Sequence, residues 1–128
     1  MKILVVDDDE SLSSIITIAL EKEGFSTLSS KTGKDALDKA KSDNPDLILL
    51  DQVLPDISGN EVLKQLKLDG QTKNIPVMMI TNFSQEEFVN QAITEGAIDY
   101  VFKYKVEIQD IVNKIKNALK KSDTSTSQ

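Results

Sequence analysis

The chain has 128 residues, a formal net charge of −6, 39% hydrophobic residues and 28% charged residues, a composition typical of one globular domain. The acidic balance argues against a nucleic-acid-binding module, whose phosphate contacts need a basic surface. The chain contains no cysteine and no histidine, which excludes disulfides, metal sites built on thiolate or imidazole, and the commonest general base. A metal would therefore be bound by oxygen atoms, which favours Mg²⁺, Mn²⁺ or Ca²⁺. No apolar run is long enough to span a membrane, and we expect a cytoplasmic protein.

The first predicted element is a short strand followed by a cluster of acids. Residues 3–6 form an apolar run typical of a strand buried on both faces, and residues 7–10 are all acidic. The last two acids suit the first turn of a helix, where carboxylates interact favourably with the dipole. That interpretation does not account for Asp7 and Asp8 at the strand tip. The helix is predicted to end near Glu23. Its predicted inward stripe consists of Leu12, Ile15, Ile16, Ala19 and Leu20.

The next elements lead to the most apolar stretch of the chain. Residues 25–30 predict a weaker, more polar strand that suits a sheet edge. The second helix is predicted to be capped near Thr32, and the Asn-Pro pair at residues 44–45 breaks the chain after it. Residues 47–50 are four consecutive aliphatic residues, which predict a fully buried strand, and that strand ends in Asp51.

The second half of the chain repeats the alternation of helix and strand. After Pro55, Ser58 has the spacing of a capping box, and the third helix is predicted to extend to about Asp69. Residues 76–80 predict another buried strand, which is followed by Thr81. A second capping box is predicted to begin the fourth helix at Ser84. The predicted inward residues of that helix are Phe88, Val89, Ala92 and Ile93.

The last strand is predicted at residues 100–102 and is followed by Lys103. The fifth helix is predicted over residues 107–121, with its lysines near the helix C-terminus. Residues 122–128 contain no apolar residue, so we expect a disordered tail. The folded domain is therefore expected to cover residues 1–121.

The order of elements predicts a (βα)₅ fold of class α/β. Short connections and right-handed crossovers give a doubly wound parallel sheet of five strands. The weak second strand belongs at an edge, which gives the flavodoxin-like strand order 2-1-3-4-5. In such sheets ligands bind at the carboxyl ends of the strands, at the switch point between strands 1 and 3.

The strand ends carry complementary chemical groups. Asp7, Asp8 and Asp51 should converge at the switch point, where their charges repel by several kcal/mol at an intermediate dielectric of ~20. A divalent cation would offset this repulsion, and oxygen ligands suit Mg²⁺. Thr81 and Lys103 add a hydroxyl and a cation from strands 4 and 5. Together these groups could stabilise a transferring phosphoryl group, with Asp51 as a nucleophile that forms an aspartyl phosphate.

This set of motifs resembles the receiver domain of two-component response regulators and is similar to stand-alone chemotaxis-type regulators. The resemblance covers about residues 1–121. It implies that Asp51 is the phosphoacceptor, supplied by a phosphohistidine on a histidine kinase or a phosphotransfer protein. It also implies output by binding a downstream protein through the face formed by helix 4, strand 5 and helix 5.

The same resemblance implies roles for the other site residues. Asp8 and Asp51 would bind Mg²⁺, or Mn²⁺ as an alternative, together with the Val53 backbone carbonyl, and Asp7 would contact the metal through water. Thr81 and Lys103 would hold phosphoryl oxygens. Thr81 and Tyr100 would form the switch that responds to phosphorylation. The chain would then catalyse only its own phosphotransfer and dephosphorylation, without further enzyme activity.

Three positions depart from the usual receiver pattern. Ser58 replaces the usual aspartate before Gly59, but a serine still caps a helix. Asn82 follows the switch threonine where a smaller residue is usual, which narrows access to an acyl phosphate. Tyr104 replaces the usual proline after Lys103. Because a cis bond without proline costs roughly 3–4 kcal/mol, we expect a trans Lys103–Tyr104 bond and a shifted loop before the last helix.

Three other functions fit part of the sequence. A haloacid-dehalogenase-like phosphatase is suggested by Asp7 and Asp9 after the first strand, but the late acidic pair that such enzymes need is missing. A flavodoxin-like FMN carrier would need a phosphate loop rich in Ser, Thr and Gly after that strand. A degenerate receiver that acts only as a binding scaffold would not need the intact acidic set.

Overall fold

The computed structural model describes residues 1–82, 86–103 and 106–126, and side chains up to residue 120. The strands are β1 (Lys2–Val6), β2 (Ser26–Ser30), β3 (Leu47–Asp51), β4 (Val77–Thr81) and β5 (Asp99–Phe102). The helices are α1 (Glu10–Lys22), α2 (Gly33–Asp43), α3 (Gly59–Leu68), α4 (Glu86–Thr94) and α5 (Ile108–Thr126). None of the helices in these ranges is long and apolar enough to cross a membrane.

The strands form one parallel five-stranded sheet in the order β2-β1-β3-β4-β5, which confirms the predicted topology. Val6 is paired with Leu50, so β1 and β3 end side by side. At the other end of the same strands, Lys2 N donates to Asp46 Oδ2 at 2.7 Å, and Asp46 N donates to the Lys2 carbonyl at 2.8 Å. This register brings the residues that follow β1 and β3 to one edge of the sheet.

Two hydrophobic cores lie on opposite faces of the sheet, and β3 contributes to both. Its alternate residues Ile48 and Leu50 pack with α2, α3 and α4, whereas Leu47 and Leu49 pack with α1 and α5. All four side chains are fully buried, and burial of each contributes roughly 1.5–3 kcal/mol. The continuous apolar run of β3 is therefore required by a strand that has helices on both faces.

Side-chain caps begin the first three helices. Asp9 accepts from the N–H groups of Ser11 and Leu12 at the start of α1. The predicted caps of α2 and α3 are confirmed, because Thr32 and Ser58 each accept from the N–H group three residues on. The serine at position 58 thus caps α3 as expected. The predicted box at Ser84 lies outside the described residues.

Some sequence-based assignments were wrong in detail. Ile15 and Ile93, both predicted to face inward, are 52% and 50% exposed. In α1 the buried positions are Ser13, Ile16 and Leu20, so the stripe is narrower than the apolar pattern suggested. The helical backbone of α5 continues to Thr126, past the end predicted at Lys121.

Candidate functional site

Three carboxylates converge where β1 and β3 end, as predicted. One oxygen from each of Asp7, Asp8 and Asp51 lies within 4.8 Å of the others. Asp7 and Asp51 are only 2% and 4% exposed, whereas Asp8 is open to solvent. The parallel register of the two strands produces this cluster, since Asp7 and Asp51 each follow one member of the paired residues Val6 and Leu50.

Lys103 joins two of these carboxylates. Its Nζ atom lies 2.8 Å from Asp7 Oδ2 and 3.0 Å from Asp51 Oδ2, and its side chain is 9% exposed. The contact with Asp51 is a hydrogen bond. Among the residues that the structure describes, none donates a well-directed hydrogen bond to Asp7 Oδ2, so Lys103 forms an ion pair with that oxygen without good hydrogen-bond geometry.

The buried charges perturb each other's protonation. Burial and the charge of Asp7 raise the pKa of Asp51 to about 6, although Lys103 opposes that rise. Burial alone would lower the pKa of Lys103, but Asp7 and Asp51 outweigh it and raise the value. At neutral pH the lysine is therefore charged, and Asp51 is mostly ionised but close to its titration range.

These residues fit a divalent cation bound by oxygen atoms. Three carboxylates and one ammonium group leave two uncompensated negative charges, which one divalent ion would neutralise. Asp7 Oδ2 is buried and paired with Lys103 Nζ at 2.8 Å, and Asp8 faces solvent, from which an ion can enter. Val53 N donates to Asp51 Oδ1 at 3.2 Å, so the loop that carries the Val53 carbonyl folds back towards the cluster. Such a ligand set suits Mg²⁺ or Mn²⁺.

Thr81 and Tyr100 lie on the neighbouring strands. Thr81 ends β4 and is fully buried, and its carbonyl accepts from Lys103 N at 2.9 Å. Tyr100 is 9% exposed and packs in the same core as Val89 and Ala92 of α4. Burial and, to a smaller extent, the charge of Asp51 raise the pKa of Tyr100 to about 12, so its hydroxyl stays protonated at physiological pH.

The two remaining departures from the receiver pattern have different outcomes. Asn82 directly follows the buried Thr81 at the carboxyl end of β4, and Asn82 is exposed to solvent. Tyr104 lies outside the described residues, and so does the Lys103–Tyr104 bond whose geometry was predicted.

Sequence reasoning missed three polar residues beside the site. Asp56 accepts from the N–H groups of Gly33 and Lys34 at 2.8 and 2.9 Å, which joins the loop after β3 to the start of α2. Gln52 and Asn60 are buried and joined by a hydrogen bond. The one sequence signal for this buried pair was Gln52, a polar residue between Asp51 and the apolar residues that follow it.

A doubly wound parallel sheet with a carboxylate cluster and a lysine at the carboxyl ends of its strands is typical of small α/β signalling domains that carry a phosphoryl group on an aspartate. The family model described as the response regulator receiver domain matches residues 3–116. The chain therefore belongs to the response regulator receiver family, and its role is that of a phosphoacceptor in two-component signalling.

Similar proteins include several bacterial regulators. The chain is 36% identical over 122 residues to the alkaline phosphatase synthesis transcriptional regulatory protein PhoP of Bacillus subtilis. The aligned region covers 95% of this chain and 50% of that protein. It is 34% identical over 126 residues to the phosphate regulon transcriptional regulatory protein PhoB of Pseudomonas aeruginosa, 98% of this chain and 55% of that protein. The chain thus spans about half the length of the curated relatives it matches.

Solved structures agree with this assignment. A CheY-like response regulator receiver domain protein from Methanospirillum hungatei has a TM-score of 0.89 at 30% identity, covering 97% of both chains. The receiver domain of the Francisella response regulator 1452 has a TM-score of 0.86 at 28% identity, covering 94% of this chain and 98% of that one. The same fold therefore extends over nearly the whole chain.

Proposed function

We propose that Asp51 accepts a phosphoryl group from the phosphohistidine of a histidine kinase or a phosphotransfer protein. The observation that carries this proposal is the 3.0 Å contact of Lys103 Nζ with Asp51 Oδ2, beside Asp7 and Asp8. A buried carboxylate with a cation and an oxygen-ligand metal site has the charge stabilisation that phosphoryl transfer needs. The chain has no histidine, in keeping with a donor histidine on another protein.

In the proposed transfer, an oxygen of ionised Asp51 forms a bond to phosphorus while the phosphorus–nitrogen bond of the donor breaks. The electron pair of that bond stays on the imidazole nitrogen of the donor, and the product is an aspartyl phosphate. Lys103 has three N–H donors, so it can bind an oxygen of the arriving group while it keeps its contact with Asp7. We propose no turnover beyond this transfer and the hydrolysis of its product.

The proposed metal is Mg²⁺, with Mn²⁺ as the alternative. Asp8, Asp51 and the Val53 carbonyl would bind it directly, and Asp7 would contact it through water. When bound, the metal would offset negative charge on the carboxylates and on the phosphoryl oxygens. The exposed position of Asp8 beside two buried carboxylates supports this arrangement.

Thr81 and Tyr100 are the proposed switch. Movement of the Thr81 hydroxyl towards a phosphoryl oxygen would vacate space that Tyr100, on the next strand, can occupy. Such a switch requires two packings that are close in free energy. Phosphorylation adds roughly 1.5–2 negative charges, enough to bias a difference of a few kcal/mol. The packing of Tyr100 with Val89 and Ala92 supports a path from the switch to α4.

The proposed output surface is the face formed by α4, β5 and α5, which would bind a downstream protein. Ile93 of α4 and Ile98, directly before β5, are 50% and 46% exposed, and an exposed ion pair joins Lys114 of α5 to Asp99 of β5 at 3.0 Å. The names of PhoP and PhoB describe transcriptional regulators that are about twice as long as this chain. For this chain we propose protein–protein output in the cytoplasm, without direct binding to nucleic acid or membrane.

The phosphoacceptor assignment is tested by incubation with acetyl phosphate and Mg²⁺, followed by intact-mass measurement. The wild type should gain one phosphoryl group, and Asp51→Asn should gain none. Asp38→Asn, which changes an exposed carboxylate on α2, is the matched control and should be labelled like the wild type. A full label on Asp51→Asn would refute the assignment.

The same preparation separates the alternative functions. Hydrolysis of a generic phosphate ester with many turnovers would favour a phosphatase, and a chain that binds partners but takes no label would favour a scaffold. For the switch, amide exchange is compared with and without beryllofluoride, a mimic of the phosphoryl group. Changes confined to α1 and α2, with Tyr100 and α4 unaffected, would reject the proposed output face.

A further inference from the structure

Gln52 and Asn60 form a buried polar pair directly behind the phosphoacceptor. Gln52 follows Asp51 in the chain and is 4% exposed, while Asn60 in the first turn of α3 is 3% exposed. Gln52 Oε1 accepts from Asn60 N at 2.8 Å, and the Gln52 carbonyl accepts from Gly59 N at 2.7 Å. Two hydrogen bonds thus fasten the start of α3 to the residue after Asp51.

The backbones at this junction are in direct contact. A Cβ atom added at Gly59 would lie 2.3 Å from the Asp51 carbonyl oxygen and 2.7 Å from Gln52 Cα. That spacing is too short for any side chain, so the first residue of α3 packs directly on the backbone of Asp51 and Gln52. A shift of Asp51 or Gln52 must therefore be followed by the first turn of α3.

Asn60 extends this connection to α4. Its Nδ2 atom donates to the Phe88 carbonyl at 3.3 Å. Its Oδ1 atom is buried and accepts no hydrogen bond from any residue in the described ranges. An amide oxygen in a protein interior is costly unless it accepts a hydrogen bond. Within the part of the chain that the structure describes, an apolar side chain would remove that cost, so the described contacts give no stability reason for an asparagine here.

We infer that Asn60 is a positioning residue for α4, and that the path from Gln52 through Asn60 to the Phe88 carbonyl couples the phosphoacceptor to that helix. This inference rests on the proposed function, because the signal that it transmits is phosphorylation of Asp51. The path runs through α3 and uses residues other than Thr81 and Tyr100 of the proposed switch, although Tyr100 packs on the same face of the sheet. Asn60 holds α4 by one hydrogen bond, and Gln52 determines where Asn60 is placed.

Two variants and one control test the inference by amide exchange of the α4 backbone. Asn60→Leu removes the bond to Phe88 and the buried Oδ1 atom but keeps the backbone N–H that binds Gln52. Gln52→Leu removes the side-chain bond to Asn60 N but keeps the bond of Asn60 to Phe88, and the Gln52 carbonyl still binds Gly59 N. The control is Thr72→Val, because the Thr72 hydroxyl is equally buried and donates to the Leu66 carbonyl at 2.7 Å, with no bond to α4 or to the phosphoacceptor.

Without any phosphoryl mimic, the α4 backbone amides of Asn60→Leu should exchange with solvent roughly two- to tenfold faster than those of the wild type. This factor corresponds to the net free energy of one hydrogen bond. Its midpoint of urea unfolding should be unchanged or higher. The control should show the opposite pattern, with a lower midpoint and wild-type exchange in α4. A purely structural role for Asn60 would lower the midpoint without a selective effect on α4.

With beryllofluoride and Mg²⁺, Gln52→Leu should bind the mimic within a few-fold of the wild-type affinity but lose at least half of the change in α4 exchange. Wild-type α4 exchange in Asn60→Leu, or a full α4 response in Gln52→Leu, would overturn the inference. If the wild type binds no beryllofluoride, the proposed function fails and the coupling to phosphorylation fails with it. The comparison without the mimic still decides whether Asn60 positions α4.

Discussion

The replacement Asp51→Asn should stabilise the fold although it removes the proposed nucleophile. Asp51 is 4% exposed and shares its surroundings with the buried carboxylate of Asp7. Asparagine keeps nearly the same shape and can still accept a hydrogen bond from Lys103. The substitution therefore removes a repulsive buried charge and leaves Asp7 paired with the lysine.

The magnitude follows from the protonation of Asp51. Its pKa is raised from 3.8 to about 6, and about two pKa units correspond to about 3 kcal/mol. Because the folded state holds the proton more tightly than the unfolded chain, ionisation destabilises the fold as the pH rises from about 4 to about 6, and the penalty persists above that range. The raised value already includes the opposing effect of the ion pair with Lys103, so we expect the variant to be about 3 kcal/mol more stable at pH 8.

The assay is urea unfolding in EDTA at pH 8, 6 and 5, since bound Mg²⁺ would mask the repulsion. The advantage of Asp51→Asn should shrink by roughly half between pH 8 and pH 5, as the wild-type carboxyl becomes protonated in the folded state. Asp38→Asn is the control and should show no such pH-dependent gain. A variant that is less stable than the wild type at pH 8, or a gain that does not change with pH, would refute the reasoning.

Three further predictions concern the charges around the site. Asp8→Asn should weaken Mg²⁺ binding roughly tenfold or more, because it removes a proposed direct ligand, and an unchanged titration would place the metal elsewhere. Lys103→Met should cost roughly 3–5 kcal/mol of stability at pH 8 without Mg²⁺, because it leaves two buried carboxylates unpaired. That loss should diminish at pH 5 in urea unfolding, and a small loss independent of pH would contradict it. Asp56→Ala should lower the thermal midpoint, because Asp56 caps α2 and its pKa is lowered chiefly by the Gly33 and Lys34 N–H groups. The difference should be present above the unfolded pKa of about 4 and vanish as the pH falls through the lower folded value, so a difference unchanged in acid would argue against the cap.

The sequence predicted the topology and the charged site because both depend on local patterns. Apolar runs such as Leu47 to Leu50 identify buried strands, and parallel strands bring their carboxyl ends to one edge. The convergence of Asp7 and Asp51 follows from that geometry without knowledge of any side-chain contact. The burial that raises the pKa of Asp51 depends on packing by the whole domain, which periodicity does not report.

The polar pair of Gln52 and Asn60 could not be predicted for the same reason. The two residues are eight positions apart, and each alone resembles an ordinary loop or helix-start residue. Their hydrogen bond exists because α3 packs directly on the end of β3, at a distance that only Gly59 permits. The exposure of Ile15 also depends on packing, since it is set by how α1 lies on the sheet.

The four consecutive aliphatic residues of β3 do not by themselves determine its register with β1. A shift of one residue along β1 would exchange the side chains that fill the two cores, at little cost, because leucine and isoleucine have similar volumes. The acids at the two ends remove this ambiguity. A slip in one direction would draw Asp46 away from the Lys2 backbone that binds it and into the apolar interior, and a slip in the other would bury Asp51 among aliphatic side chains. Asp51, the proposed phosphoacceptor, therefore also helps to determine the register in which the central strand pairs with its neighbours.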